Sequence, residues 1–166
     1  MGLNDVLVKK KAVIVRDWFD KVVDTYPSDT SRFLKSQKDP FANPVGNTTL
    51  RGLEGMFDEI LAGMDHAAVL SFLDPIIRIR AVQSFSASHA TGFIFFLKEI
   101  IRNIAEKEIH ENLAEWLKLD SRIETLALLS FDIYMGCREK IYDIKANEEK
   151  NRMFGVLERA GLLKEF

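Results

Sequence analysis

Apolar residues recur along this chain at intervals of three and four, the period of an amphipathic α-helix and not the alternation of a half-buried strand. From Asp5 to Tyr26, the residues Val15, Trp18, Phe19, Val22, Val23 and Tyr26 share one face, and Arg16, Asp17, Asp20 and Lys21 take the other. Pro27, which has no N–H to donate and restricts the residue before it, closes that helix near Tyr26. Ser28 to Gly46 is dense in turn formers, among them Asp29, Pro40, Asn43 and Pro44, and predicts an ordered loop with one helical turn around Phe33 and Leu34. Thr48 or Thr49 caps the next predicted helix, which buries Leu53, Phe57, Ile60, Leu61 and Met64, and Asp65 caps a short piece through Leu73. Asp74 followed by Pro75 marks another start, with Ile76, Ile77, Ile79, Val82 and Phe85 as its buried face. Ser86 or Ser88 then caps Ala90 to about Glu108, striped by Phe93, Phe96, Leu97, Ile100, Ile101 and Ile104.

The last large element is predicted to begin at Asp120 or Ser121, where Ser121 and Glu124 have the spacing of a capping box. From Leu126 to Cys137 apolar residues occupy nearly every helical angle, with Asp132 the sole charge. A helix apolar all round is either central or shared with a second subunit. Leu126, Leu129, Ile133 and Tyr134 are therefore the candidate contacts of a homodimer. Arg138 to Lys150 is charged enough to be a solvated extension, ending in a tail with Leu157, Leu162 and Leu163. The pattern predicts one all-α domain over residues 1–166, with a helical core at about 5–145 and a short amphipathic tail at 146–166. Helices of this length and number point to a globin-like pile or an irregular bundle.

Composition narrows the class. The chain has 166 residues, 47% hydrophobic and 29% charged, enough to build a real core. A net charge of -2 and a pI near 6.0 leave no basic footprint for nucleic acid. Lys9, Lys10 and Lys11 form the one basic run and read as a solvated face. The longest apolar run, Gly92 to Leu97, is far short of the roughly 20 residues needed to span a bilayer. A lone Cys137 and the lack of an apolar signal region make the cytoplasm the expected compartment.

Candidate chemistry concentrates where the densest polar stretch meets the densest aromatic one, in IRAVQSFSASHATGFIFFLKEIIRN from Ile79. His66, His89 and His110 are too widely spaced for a helical metal pair, and no catalytic constellation accompanies Ser84, Ser86 and Ser88 beside His89. Asp58 and Glu59 are adjacent and do not face each other, and Cys137 is expected to be buried and inert. His89, beside a phenylalanine wall, keeps a haem ligand open as an alternative. Arg78 and Arg80 interrupt an isoleucine-rich helix just before Gln83, where they can pair with neighbouring acids or hold an anion. Arg78, Arg80, Gln83, Ser88 and His89 are accordingly the candidate positions for a small anionic or polar ligand.

Four stretches also resemble a known family. They are WFDKVVDTYPSDTSRFL from Trp18, DPFANPVGNTTLRGLEGMFDEIL from Asp39, IRAVQSFSASHATGFIFFLKEIIR from Ile79 and LALLSFDIYMGCREKIYDIKANE from Leu126. NPVG at Asn43 to Gly46, the spacing of Arg80, Gln83 and Phe85, and the long final helix are the specific combination. Together they resemble the RsbRD N-terminal domain, the sensor domain of stressosome co-antagonist proteins of the RsbR type. The resemblance implies a globin-like, haem-free and cofactor-free helical fold that dimerises and acts as a non-enzymatic input module. In full-length relatives a C-terminal STAS domain carries the output, so a stand-alone form ending at Phe166 is expected to pass its signal to another protein. A haem-binding globin-like sensor or redox protein, and a plain assembly scaffold, are the competing classes.

Overall fold

The periodicity is realised as eight α-helices and one short 3-10 turn in a computed structural model that describes residues 2–163. In chain order they are α1 (Leu3–Lys9), α2 (Lys11–Val23), α3 (Ser28–Ser36), α4 (Pro44–Ala62), α5 (His66–Ala81), α6 (Ala87–Thr91), the 3-10 turn Gly92–Phe95, α7 (Phe96–Glu111) and α8 (Leu113–Arg159). No strand occurs among the described residues, so the all-α class with a long C-terminal helix is correct. The last three positions of the tail expected at 146–166 lie outside the described residues, as does Met1. No described helix is long and apolar enough to cross a membrane.

The helix expected from Asp5 to Tyr26 is two helices, broken at Lys10. Lys10 sends its Nζ to the Ile104 carbonyl at 2.8 Å, beside the kink in α7 where Ala105 takes φ -133° and ψ 32°. One side chain thus serves two breaks, and the bend lets Leu3, Val6 and Leu7 wrap the core against α7 and α8 where a straight rod would leave it. In α2, Trp18 is fully buried and donates its indole N–H to the Phe93 carbonyl at 2.9 Å.

The segment expected to be a loop from Ser28 contains α3, a nine-residue helix entered through Pro27. Turn formers hid it, yet Ser31 and Leu34 are buried, and Asp24 at the end of α2 takes Ser31 Oγ at 2.6 Å and Lys35 Nζ at 2.7 Å. α4 begins at Pro44, not after Thr48 or Thr49. Buried Asn43 is the cap: its Oδ1 accepts from the Gly46 amide at 2.9 Å, and its Nδ2 donates to the carbonyls of Leu34 at 3.0 Å and Gln37 at 3.1 Å. A Cβ on Gly46 would collide with that carboxamide, which gives the NPVG stretch its physical reason. Further along, a Cβ on Gly52 would stand 2.8 Å from the Phe72 carbonyl oxygen, so the close crossing of α4 and α5 requires glycine there.

α5 does not restart at Asp74. It runs unbroken from the Asp65 cap to Ala81 with Pro75 inside and exposed, so the carbonyl that Pro75 leaves unbonded faces water. Val82, expected to be buried, lies beyond the helix at 72% exposure. Ser86 does cap the next segment, but the helix expected from Ala90 to about Glu108 is split by the 3-10 turn. α8 starts at Leu113, with Ser121 and Glu124 inside it: Glu124 serves Lys98 at 3.1 Å and caps nothing. At 47 residues, α8 is about 70 Å long at 1.5 Å per residue.

Removing the Asn43 carboxamide is expected to cost about 2 kcal/mol, because it leaves two carbonyls and an amide without partners. Chemical denaturation of Asn43→Ala checks this, and Asn43→Asp, which keeps the acceptor but loses both donors, is expected not to rescue it. Lys35 and Ser31 hold the Asp24 carboxyl below the usual carboxylate value. Its contribution is therefore present in full above that usual value and lost as pH falls through the lowered one. Asp24→Asn is expected to lower the neutral region of a circular-dichroism stability curve, leave its acid end little changed, and so flatten the acid limb.

Candidate functional site

The C-terminal end of α5 places Arg80 where four segments meet, and its side chain is 1% exposed. Nε donates to the Ala90 carbonyl at 3.0 Å, and Nη2 donates to the His89 carbonyl at 2.7 Å and to Thr25 Oγ1 at 3.1 Å. Winding changes between α6 and the 3-10 turn, which interrupts the regular ladder, and Arg80 supplies donors to the two carbonyls there. Aromatic rings surround the guanidinium: its carbon lies 4.2 Å from the Phe85 centroid, 5.2 Å from Phe93 and 5.6 Å from Tyr26. Tyr26 and Phe85 meet edge to face at 5.1 Å, and Tyr26 donates its hydroxyl to Gln83 Oε1 at 2.9 Å. Burial pushes the guanidinium below its ordinary pKa, with Tyr26 acting in the opposite direction. Arg80 has no ion pair among the described residues, and its buried Nη1 has no hydrogen-bond partner.

Of the ligand positions expected from sequence, the fold joins Arg80 and Gln83 through Tyr26 and separates the others. Arg78 is exposed and pairs with Asp74 one turn earlier at 2.6 Å. Ser88 is exposed, 3.3 Å from Ser86. The His89 side chain stands in solvent and only its backbone carbonyl reaches Arg80, so it does not face the phenylalanine wall as a haem ligand would. Cys137 is half-buried where full burial was expected. No group of three His, Cys, Asp or Glu residues is placed to hold a metal among the described residues. Thr25, Tyr26 and Phe85 complete the arrangement. Sequence alone pointed to none of them as site residues, because the first two come from a helix end more than fifty positions away from Arg80.

A second feature runs along α8. Leu126 and Tyr134 are buried in the chain's own core, and Leu129 and Ile133 are half-buried against it. The opposite side carries Leu117, Leu128, Phe131, Met135 and Tyr142, from 37% to 68% exposed. Leu128, Phe131, Met135 and Tyr142 are spaced by three, four and seven, which keeps them on one stripe. Two bonds tie this helix to the segment after Arg80. Arg138 Nη1 donates to the Ala81 carbonyl at 3.1 Å, and Tyr134 Oη donates to the Phe85 carbonyl at 3.5 Å. The buried cation and the exposed stripe are thus connected through residues 81–85.

The described residues thus form a helical domain in which a buried polar node and an exposed apolar stripe are joined through residues 81–85. The family model for the RsbT co-antagonist protein rsbRD N-terminal domain matches residues 12–148, and the chain belongs to this family of stressosome-type sensor domains. The match covers every helix from α2 to α7 and most of α8. No curated protein and no solved structure matches the chain.

Replacing Arg80 by methionine is expected to destabilise the fold by about 3 kcal/mol, because the His89 and Ala90 carbonyls lose their donor in a buried setting. Arg78→Ala is expected to stay within about 0.5 kcal/mol, as for other exposed pairs. Urea unfolding of both variants is the measurement, and equal losses would contradict the division of roles.

Proposed function

We propose that the domain is a non-enzymatic input module that works as a homodimer built on α8 and passes its signal to a protein partner. The exposed apolar stripe on α8 carries this reading. From Tyr142 onward nearly every described position of the helix is exposed, and a helical segment without tertiary packing is marginal in water. The stripe continues into that extension at Met153 and Val156, 64% and 51% exposed. A second copy of the same helix is the occupant that fits. The stripe would bury against itself, and charges of both signs at its flanks, including Asp132, Glu139, Lys140, Lys145, Glu149 and Arg152, complement a copy of themselves.

Signalling then requires two packings of the dimer whose balance a stimulus shifts through differential affinity. The contacts of Tyr134 with Phe85 and of Arg138 with Ala81 support residues 81–85 as the route by which the Arg80 node biases α8. Leu126, Leu129, Ile133 and Tyr134 serve as the inner side of the same helix, which holds the outer stripe in position.

Light scattering after size exclusion at low micromolar concentration is expected to give twice the 19.0 kDa chain mass. Replacing both Leu128 and Met135 by glutamate is expected to weaken the dimer by at least about 100-fold and leave the core helices folded. A monomeric wild type would overturn the proposal, and a double variant that stays dimeric would move the interface off this stripe.

A further inference from the structure

The Arg80 guanidinium is buried with no acidic group beside it among the described residues. A guanidinium removed from water ordinarily has a carboxylate beside it, since an uncompensated buried charge is costly. Arg80 has instead two carbonyls, one hydroxyl and three aromatic rings, all formally neutral. Three of its N–H bonds are used, and both on the buried Nη1 remain without a hydrogen-bond partner.

Tyr26, whose ring lies 5.6 Å from the guanidinium carbon, and its partner Gln83 are also donors. Tyr26 carries a hydroxyl that now points to Gln83 Oε1, and it can turn to another acceptor. Gln83 holds its amide N–H₂ on the carboxamide whose oxygen Tyr26 already touches. On its outer side Tyr26 lines a surface hollow of about 440 Å³ with Asp24, Ser28, Ser31, Arg32 and Lys35.

We propose that Arg80 Nη1, the Tyr26 hydroxyl and the Gln83 amide bind one small monovalent anion, a halide or a planar oxyanion of nitrate or formate size. Close packing of Tyr26, Phe85 and Phe93 around the guanidinium leaves no room for a large or polyvalent ligand. Binding turns the Tyr26 hydroxyl from Gln83 to the anion and tightens the hold of α2 on the end of α5. Only the consequence for α8 rests on the dimer reading above; the site itself rests on the geometry of Arg80.

The test is thermal unfolding of the full chain at constant ionic strength while gluconate is exchanged for chloride, nitrate or sulfate. Chlorine NMR line broadening measures chloride binding directly. Chloride and nitrate are expected to raise the melting temperature in a saturable way, and sulfate is expected to do nothing. Tyr26→Phe and Gln83→Leu, which keep the packing, are each expected to weaken the apparent affinity by about tenfold, the equivalent of one hydrogen bond. An unchanged melting temperature and unbroadened chlorine signal in the wild type would show that Nη1 holds water only and overturn the proposal. So would equal shifts in wild type and Gln83→Leu. Saturable binding that leaves the dimer dissociation constant unchanged upholds the site and removes its coupling to α8.

Discussion

A guanidinium withdrawn from water must recover its solvation from whatever the fold places around it, and the geometry near Arg80 follows from that requirement. Its donors meet the carbonyls of His89 and Ala90, which fixes α6 and the start of the 3-10 turn against the end of α5. Its third bond, to Thr25, brings in the end of α2, and the rings of Tyr26, Phe85 and Phe93 close over the planar group. Phe93 is held in turn by Trp18 through its carbonyl, so the core of α2 and the node share one wall. Neutral acceptors and π faces compensate a cation only in part.

α8 gives such a local change a long reach. One face of the helix fills the core with Trp116, Ile123, Leu126 and Tyr134, and the other presents Leu128, Phe131 and Met135 to solvent. Because a helix is stiff along its axis, the proposed coupling would carry a small rotation at residues 134–138 along the stripe. The family match spans both the helical body and most of α8. The two bonds to Ala81 and Phe85 join α8 to the segment that follows Arg80.

Much of this was legible in the chain. Three-and-four spacing marked the cores of α2, α4, α5, α7 and α8, and the caps at Asp65 and Ser86 were readable from residue type alone. Boundaries failed where a distant partner decided them. Lys10 breaks a helix because it reaches Ile104, ninety-four positions on, and Asn43 outcompetes Thr48 as a cap because it also ties down Leu34 and Gln37. Pro75 signalled a start and became an interior residue, since its missing bond falls on the exposed side. For the site, Arg80 and Gln83 were visible as polar residues in an apolar run. Arg78, of the same type two positions earlier, went to the opposite environment because two positions along a helix turn the side chain by about 200°, onto the other face.

Helical class, the approximate core and the family are written in local order, because periodicity and short motifs survive without knowledge of what packs where. Which arginine is buried, which aromatic rings enclose it and which side of α8 remains bare are settled by packing alone. Each depends on groups from Thr25 to Arg138 meeting in space, and no spacing along the chain encodes that meeting.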